Sequence, residues 1–73
     1  MIWIAQINTT EGDWLRVGVS ASNGKDAIES AYDYAEEEGI PVDSITVDFY
    51  DVMTHGDISD YEILNWLCLA FLK

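Results

Sequence analysis

The sequence predicts an α+β fold of order ββαβα, in which a three-stranded antiparallel sheet packs with two helices. Three observations carry that reading. Two β-rich runs flank a short polar turn near the start of the chain. A helical run with strong signals at both ends follows. A third alternating run then precedes an apolar stretch that reads as a last helix. The 73 residues make one domain, 1–73, because a single core is normally built from roughly 50–200 residues.

Residues 2–8 (IWIAQIN) and 14–21 (WLRVGVSA) are rich in β-branched and aromatic side chains. The polar Thr9-Thr10-Glu11-Gly12-Asp13 between them reads as a hairpin turn. A two-residue turn at Glu11-Gly12 puts Ile2 and Ile4 on the core face and leaves Trp3, Ile7, Trp14 and Tyr50 to the outer face. In the second strand Leu15, Val17, Val19 and Ala21 alternate with Trp14, Arg16, Gly18 and Ser20, the period of a half-buried strand.

Ser22-Asn23-Gly24 breaks the strand, and Asn23 is placed to cap a helix with Asp26 in its first turn. The helix runs to about Glu38. Gly39 suits the left-handed position that follows, and Pro41 prevents continuation. Residues 45–52 (ITVDFYDV) read as the third strand and 53–57 as a loop. Ser59-Asp60-Tyr61-Glu62 matches a capping box, which predicts a last helix to about Leu72. A helical crossover after strand 2 lays strand 3 beside strand 1, in the order 2-1-3 with every neighbour antiparallel. Val17, Val19, Ile45, Val47 and Phe49 are then expected to face Ala27, Ile28, Ala31 and Ala35.

Charge is the strongest functional signal. Lys and Arg number 3 against 14 Asp and Glu, a net charge of −11 at neutral pH. With one His and one Cys besides, that balance excludes a nucleic-acid binder working through a basic groove, a disulfide scaffold and a Cys/His zinc site. At about 100° per residue, Asp26, Glu29, Asp33, Glu36 and Glu37 fall on the helix face opposite Ala27, Ile28, Ala31 and Ala35. Glu29 and Asp33 form a like-charge i,i+4 pair, which costs a helix roughly 0.2–0.5 kcal/mol. The stripe rises about 16 Å at ~1.5 Å per residue. One DNA strand of that length carries about five phosphates at ~3.4 Å each. Carboxylates at this density are repelled by nucleic acid but fit a protein surface built to bind it. The expected partner is therefore a basic nucleic-acid-binding protein, with Asp26, Glu29, Asp33, Glu36 and Glu37 as the contact residues.

Other groups carry less. Asp43-Ser44-Ile45 resembles the Asp-Ser-Leu of acyl carrier proteins, a helical family, whereas the residues after Ser44 here alternate as strand. His55, Asp57 and Asp60 have the spacing of no established metal site, and Gly56 and Ser59 supply turn and cap chemistry beside them. Cys68, between Leu67 and Leu69, reads as a buried inert thiol. No nucleophile and base can be paired, so neither enzyme activity nor a cofactor or metal is expected. Met1 to Ile4 lacks the features of a signal peptide, and no apolar stretch reaches the ~18 residues of a membrane span. The expected location is the cytoplasm, that of a host cell if the chain is phage-encoded. Residues 63–72 are apolar nearly all round, which makes the chain either a monomer or a homodimer joined through that helix.

A strongly acidic α+β chain of this size without catalytic motifs resembles the small anti-CRISPR proteins of phages and mobile elements, several of which act as nucleic-acid mimics. The likeness lies in size, charge and architecture along the whole chain. It implies occlusion of a Lys/Arg-lined DNA-binding surface on a multisubunit (type I) CRISPR effector. Two other classes fit the same residues: an immunity or antitoxin-type inhibitor of a basic nuclease, and a non-catalytic homodimeric structural module whose acidity serves solubility.

Overall fold

The loop between the first two strands decides which side of the sheet becomes the core. The computed structural model describes residues 1–64. In it β1 (Ile2–Thr9) pairs antiparallel with β2 (Trp14–Ser20), from Ile2 opposite Ser20 to Asn8 opposite Trp14. The Thr9 N–H donates to the Asp13 carbonyl at 2.8 Å and the Gly12 N–H to the Thr9 carbonyl at 3.2 Å. The loop is thus Thr10-Glu11-Gly12, one residue longer than the expected turn, and Gly12 takes the left-handed conformation (φ 88°) that such a loop needs. That extra residue exchanges the faces of β1. Trp3, Ala5 and Ile7 face the helix, and Ile2 and Ile4 do not. Ile4 is still buried, on the opposite side of the sheet.

Helix α1 (Gly24–Glu38) begins where the Asp26 N–H donates to Asn23 Oδ1 at 2.9 Å. It ends at Gly39 (φ 69°), whose own N–H and that of Ile40 return to the Glu36 and Ala35 carbonyls. Ala27, Ala31 and Ala35 are fully buried against Ala5, Ile7, Val17 and Val19. Three small side chains in a row let the helix lie close on the sheet. β3 (Val42–Phe49) starts and ends three residues earlier than the sequence suggests and pairs antiparallel with β1. Because β3 lies at the sheet edge, Ile45 and Val47 are half-buried. Phe49, expected in the core, is 50% exposed with its ring edge-on to Trp3 at 5.5 Å.

The largest departure follows β3. A one-turn helix α2 (Val52–His55) replaces the expected loop, its Met53 N–H held by Asp51 Oδ1 at 2.9 Å. Ser59-Asp60-Tyr61-Glu62 opens no helix. Asp57 caps instead, taking the Ser59 N–H at 3.0 Å, and the structure it starts is a single 3-10 turn over Ile58–Asp60. Glu62–Ile63 then forms β4, parallel to β2, and the Leu64 N–H donates to the Gly18 carbonyl at 2.9 Å. The sheet therefore has four strands in the order β3-β1-β2-β4, rather than three in the order 2-1-3. Strand 1 does lie between strands 2 and 3 as expected, but the added pair is parallel. Gly18 gives the Ile63 side chain room at that pair, since a Cβ there would stand 2.5 Å from Ile63 Cδ1, which would have to turn aside. The remainder of the expected last helix, with Trp66, Cys68 and Leu69, lies outside the described residues.

Candidate functional site

The buried alanines of α1 orient its acids. With Ala27, Ala31 and Ala35 against the sheet, Asp26, Glu29, Asp33, Glu36 and Glu37 all stand exposed on the outer side of the helix. The structure brings the five together as one stripe. Only Asp26 has a hydrogen-bond partner among the described side chains, Asn23 Nδ2 at 3.5 Å. Among the described residues no Lys or Arg lies within 4.0 Å of a carboxylate, and the one basic side chain that does is His55, whose Nε2 is 3.6 Å from Asp48 Oδ2. Lys25 is exposed in the first turn of α1. Arg16 is committed to the other sheet face, where its Nε donates to Gln6 Oε1 at 3.1 Å and its guanidinium lies 4.6 Å over the Trp14 ring. No carboxylate of the stripe is thus paired at ion-pair distance with a described cation, and Lys25, four residues before Glu29, is the one cation on the helix.

Carboxylates that lack counter-charges repel one another in a way that salt screens. The melting temperature is therefore expected to rise between low and physiological ionic strength. A flat response in a thermal melt would contradict a field concentrated on α1.

Beside the stripe runs a groove of about 290 Å³, lined by Ser30, Asp33, Tyr34, Glu37 and Leu64. Sequence reasoning passed over Ser30 and Tyr34, although they sit at i,i+4 on the flank of the stripe; nothing local signals the arrival of Leu64. The Tyr34 hydroxyl donates to Glu62 Oε2 at 2.6 Å, which ties α1 to β4. That bond to a carboxylate, then desolvation and the charges of Glu62 and Glu38, push the Tyr34 phenol up to about 12 from 10. The folded protein thus favours the protonated phenol. Its stabilising contribution is fully present below pH about 10 and is lost as pH rises through about 12. Comparing alkaline melts of the wild type and Tyr34→Phe checks this: the wild-type advantage should vanish across that window.

Another concave region, about 510 Å³ on the second sheet face, is lined among others by Ile4, Gln6, Arg16, Asp48, His55 and Tyr61. His55 is half-buried with both ring nitrogens occupied. Its Nδ1 receives the Asp51 N–H at 3.1 Å and its Nε2 faces Asp48. Asp57 is the cap of the 3-10 turn and Asp60 lies at its end. Ser44 is a β3 residue whose Oγ receives Asn8 Nδ2 at 3.1 Å. Trp3 and Ile7, expected on this face with Trp14 and Tyr50, belong to the helix side; Trp14 is exposed here beneath Arg16.

No helix among the described residues is long and apolar enough to cross a membrane. Comparison with known proteins finds no matching family model, no matching curated protein and no matching solved structure.

Proposed function

We propose that this protein is an inhibitor that acts as an acidic nucleic-acid mimic, occluding a basic DNA-binding surface, with a type I CRISPR effector as the favoured target. The observation that carries the reading is the exposed stripe on α1, where Glu29, Asp33, Glu36 and Glu37 have no described hydrogen-bond or ion-pair partner. A solvated helix ordinarily intersperses opposite charges at i,i+4, which stabilises it by roughly 0.2–0.5 kcal/mol per pair. In this helix only Lys25, four residues before Glu29, offers such a pair, and it stands beyond 4.0 Å of any carboxylate; the other acids present carboxylates at about the density of phosphates on one strand. The groove beside Asp33 and Glu37 suits the aliphatic stem of an inserted Lys or Arg, with the carboxylates meeting its charged end. Association with such a surface would be steered electrostatically and weakened by salt.

The test is capture of the target from a host lysate on the immobilised protein, followed by competition. DNA of the form the target prefers should displace the protein, and added salt should weaken the complex steeply. A captured partner that binds DNA and this protein simultaneously would overturn the reading.

A further inference from the structure

The outer edge of β3 is unpaired among the described residues, because β3 is terminal in the sheet and its one partner is β1. The Tyr50 N–H donates to the Ile2 carbonyl at 2.9 Å, which sets the phase of the ladder. Ser44, Thr46 and Asp48 exchange hydrogen bonds with β1, so Ile45, Val47 and Phe49 turn their backbone groups outward. The Phe49 N–H is already taken by its neighbour, Asp48 Oδ1, at 3.1 Å. Ile45 and Val47 remain as a short block of outward donors and acceptors. Edge strands are usually protected by Lys, by Pro, by a bulge or by a covering element. Residues 42–49 contain no Lys and no Pro, and the bulge of β3, where Asp43 is the extra residue between the partners of Asn8 and Thr9, lies at the start of the strand and leaves Ile45–Phe49 in regular register.

We infer that β3 pairs antiparallel with β3 of a second copy of this chain about a two-fold axis at Thr46. This register joins Ile45 to Val47 of the second copy twice by symmetry, and so uses just the backbone groups left outward. It sets Thr46 opposite itself at a non-hydrogen-bonded position, where β-branched Thr pairs are favourable. It sets Asp48 opposite Ser44. The Ser44 oxygen already accepts from Asn8, and its hydroxyl hydrogen is available to the facing carboxylate. No carboxylate stands directly opposite another. Centring the axis on Val47 would instead require the occupied Phe49 N–H, and centring it on Ile45 would bring in Asp43 near the bulge. The half-exposed Phe49 ring adds apolar area at each end of the paired strands. A contact of this kind buries less than the ~1,200 Å² of a standard stable interface. The dimer is therefore weak and depends on concentration. Two chains of charge −11 repel, so salt strengthens it, the opposite of its expected effect on a complex with a basic target.

Sedimentation velocity on the full chain, over a wide concentration range at low and high salt, should show a monomer–dimer equilibrium that moves toward dimer with both variables. Thr46→Asp, at an exposed position, places two carboxylates on the axis and should remove the dimer, whereas Thr46→Val should retain it. Register is read by cross-linking in a Cys68→Ser background. A non-hydrogen-bonded pair has a Cα separation of about 4.5 Å, within the roughly 4.4–6.8 Å that a disulfide spans. Thr46→Cys should therefore oxidise to a covalent dimer under mild conditions. Ser44→Cys should not, but a mixture of Ser44→Cys and Asp48→Cys chains should. A wild type that stays monomeric at every concentration and salt overturns the inference. So does a dimer that survives Thr46→Asp, or one that cross-links equally through Ser44→Cys alone. None of these results bears on the stripe of α1, which the β3 variants leave intact.

Discussion

The triple variant Glu29→Lys, Asp33→Lys, Glu36→Lys is expected to remain folded and to lose its basic target. The three substitutions change the charge of one helix face by six units (three of two each), while Ala27, Ala31 and Ala35 stay buried on the other side. Stability should move little. The repulsion between the carboxylates of Glu29 and Asp33 is exchanged for that between two ammonium groups at the same positions. New attractions appear from Asp26 to position 29 and from position 33 to Glu37, each worth roughly 0.2–0.5 kcal/mol, and they are offset in part because Lys25, four residues before position 29, exchanges an opposite charge for a like one. Binding has no such compensation. Every Lys or Arg of the target that met a carboxylate now meets a cation, and like charges brought together at an interface cost several kcal/mol. A loss of at least about 100-fold in affinity, near 2.8 kcal/mol, is the expected result in a direct binding titration. Glu11→Lys in the hairpin loop should weaken binding less, through the overall field alone. Unchanged binding and inhibition by the triple variant would move attention from α1 to the exposed Trp14 and Phe49.

The stripe was legible in the sequence because α1 is delimited locally. Asn23 with Asp26 at one end and Gly39 with Pro41 at the other are signals read within a few residues, and the 100° spacing then places every carboxylate. Faces in the hairpin were harder to read. Thr10-Glu11-Gly12 and Glu11-Gly12 are equally good turn sequences, and the choice between them reverses β1. The structure takes the longer loop, which buries Ala5 and Ile7 beneath the alanines of α1 and leaves Ile4 to the second face. Ser59-Asp60-Tyr61-Glu62 misleads for a different reason. Its capping pattern is real, but Asp57 competes for the same turn, Tyr34 holds Glu62 from 28 residues away, and Gly18 admits Ile63 at the edge of β2. The first is local, a competition between two caps two residues apart, but the other two are invisible in a window of neighbouring residues. The groove beside the stripe shares that origin, since it exists only where β4 delivers Leu64 to the flank of α1.

Ala31→Leu is expected to be the most damaging single apolar change in the described core. Ala31 is fully buried at the middle of α1, between Ala27 and Ala35, where the helix meets the central strands. Leu has a higher affinity for water-free surroundings than Ala and an almost equal helix propensity, so exposed positions would tolerate it. At this position the added carbons have no cavity to fill and must push the helix off Ile7 and Val17. Overpacking of that kind costs typically 1–3 kcal/mol. A chain of 73 residues at about 0.05–0.15 kcal/mol per residue has roughly 4–11 kcal/mol of stability in all. For a domain of this size each kcal/mol lowers Tm by about 4–8 °C, so a fall near 10 °C is expected in a thermal melt. Ala31→Asp should leave the chain unfolded, because its carboxylate would be buried without a partner. Ala31→Gly separates packing from propensity: it adds no bulk, and should cost only about 1 kcal/mol through the helix backbone. If Ala31→Leu melts at or above the wild type, α1 does not lie as close to the sheet as the three buried alanines require. The common orientation of the carboxylates on its outer face would then lose its foundation.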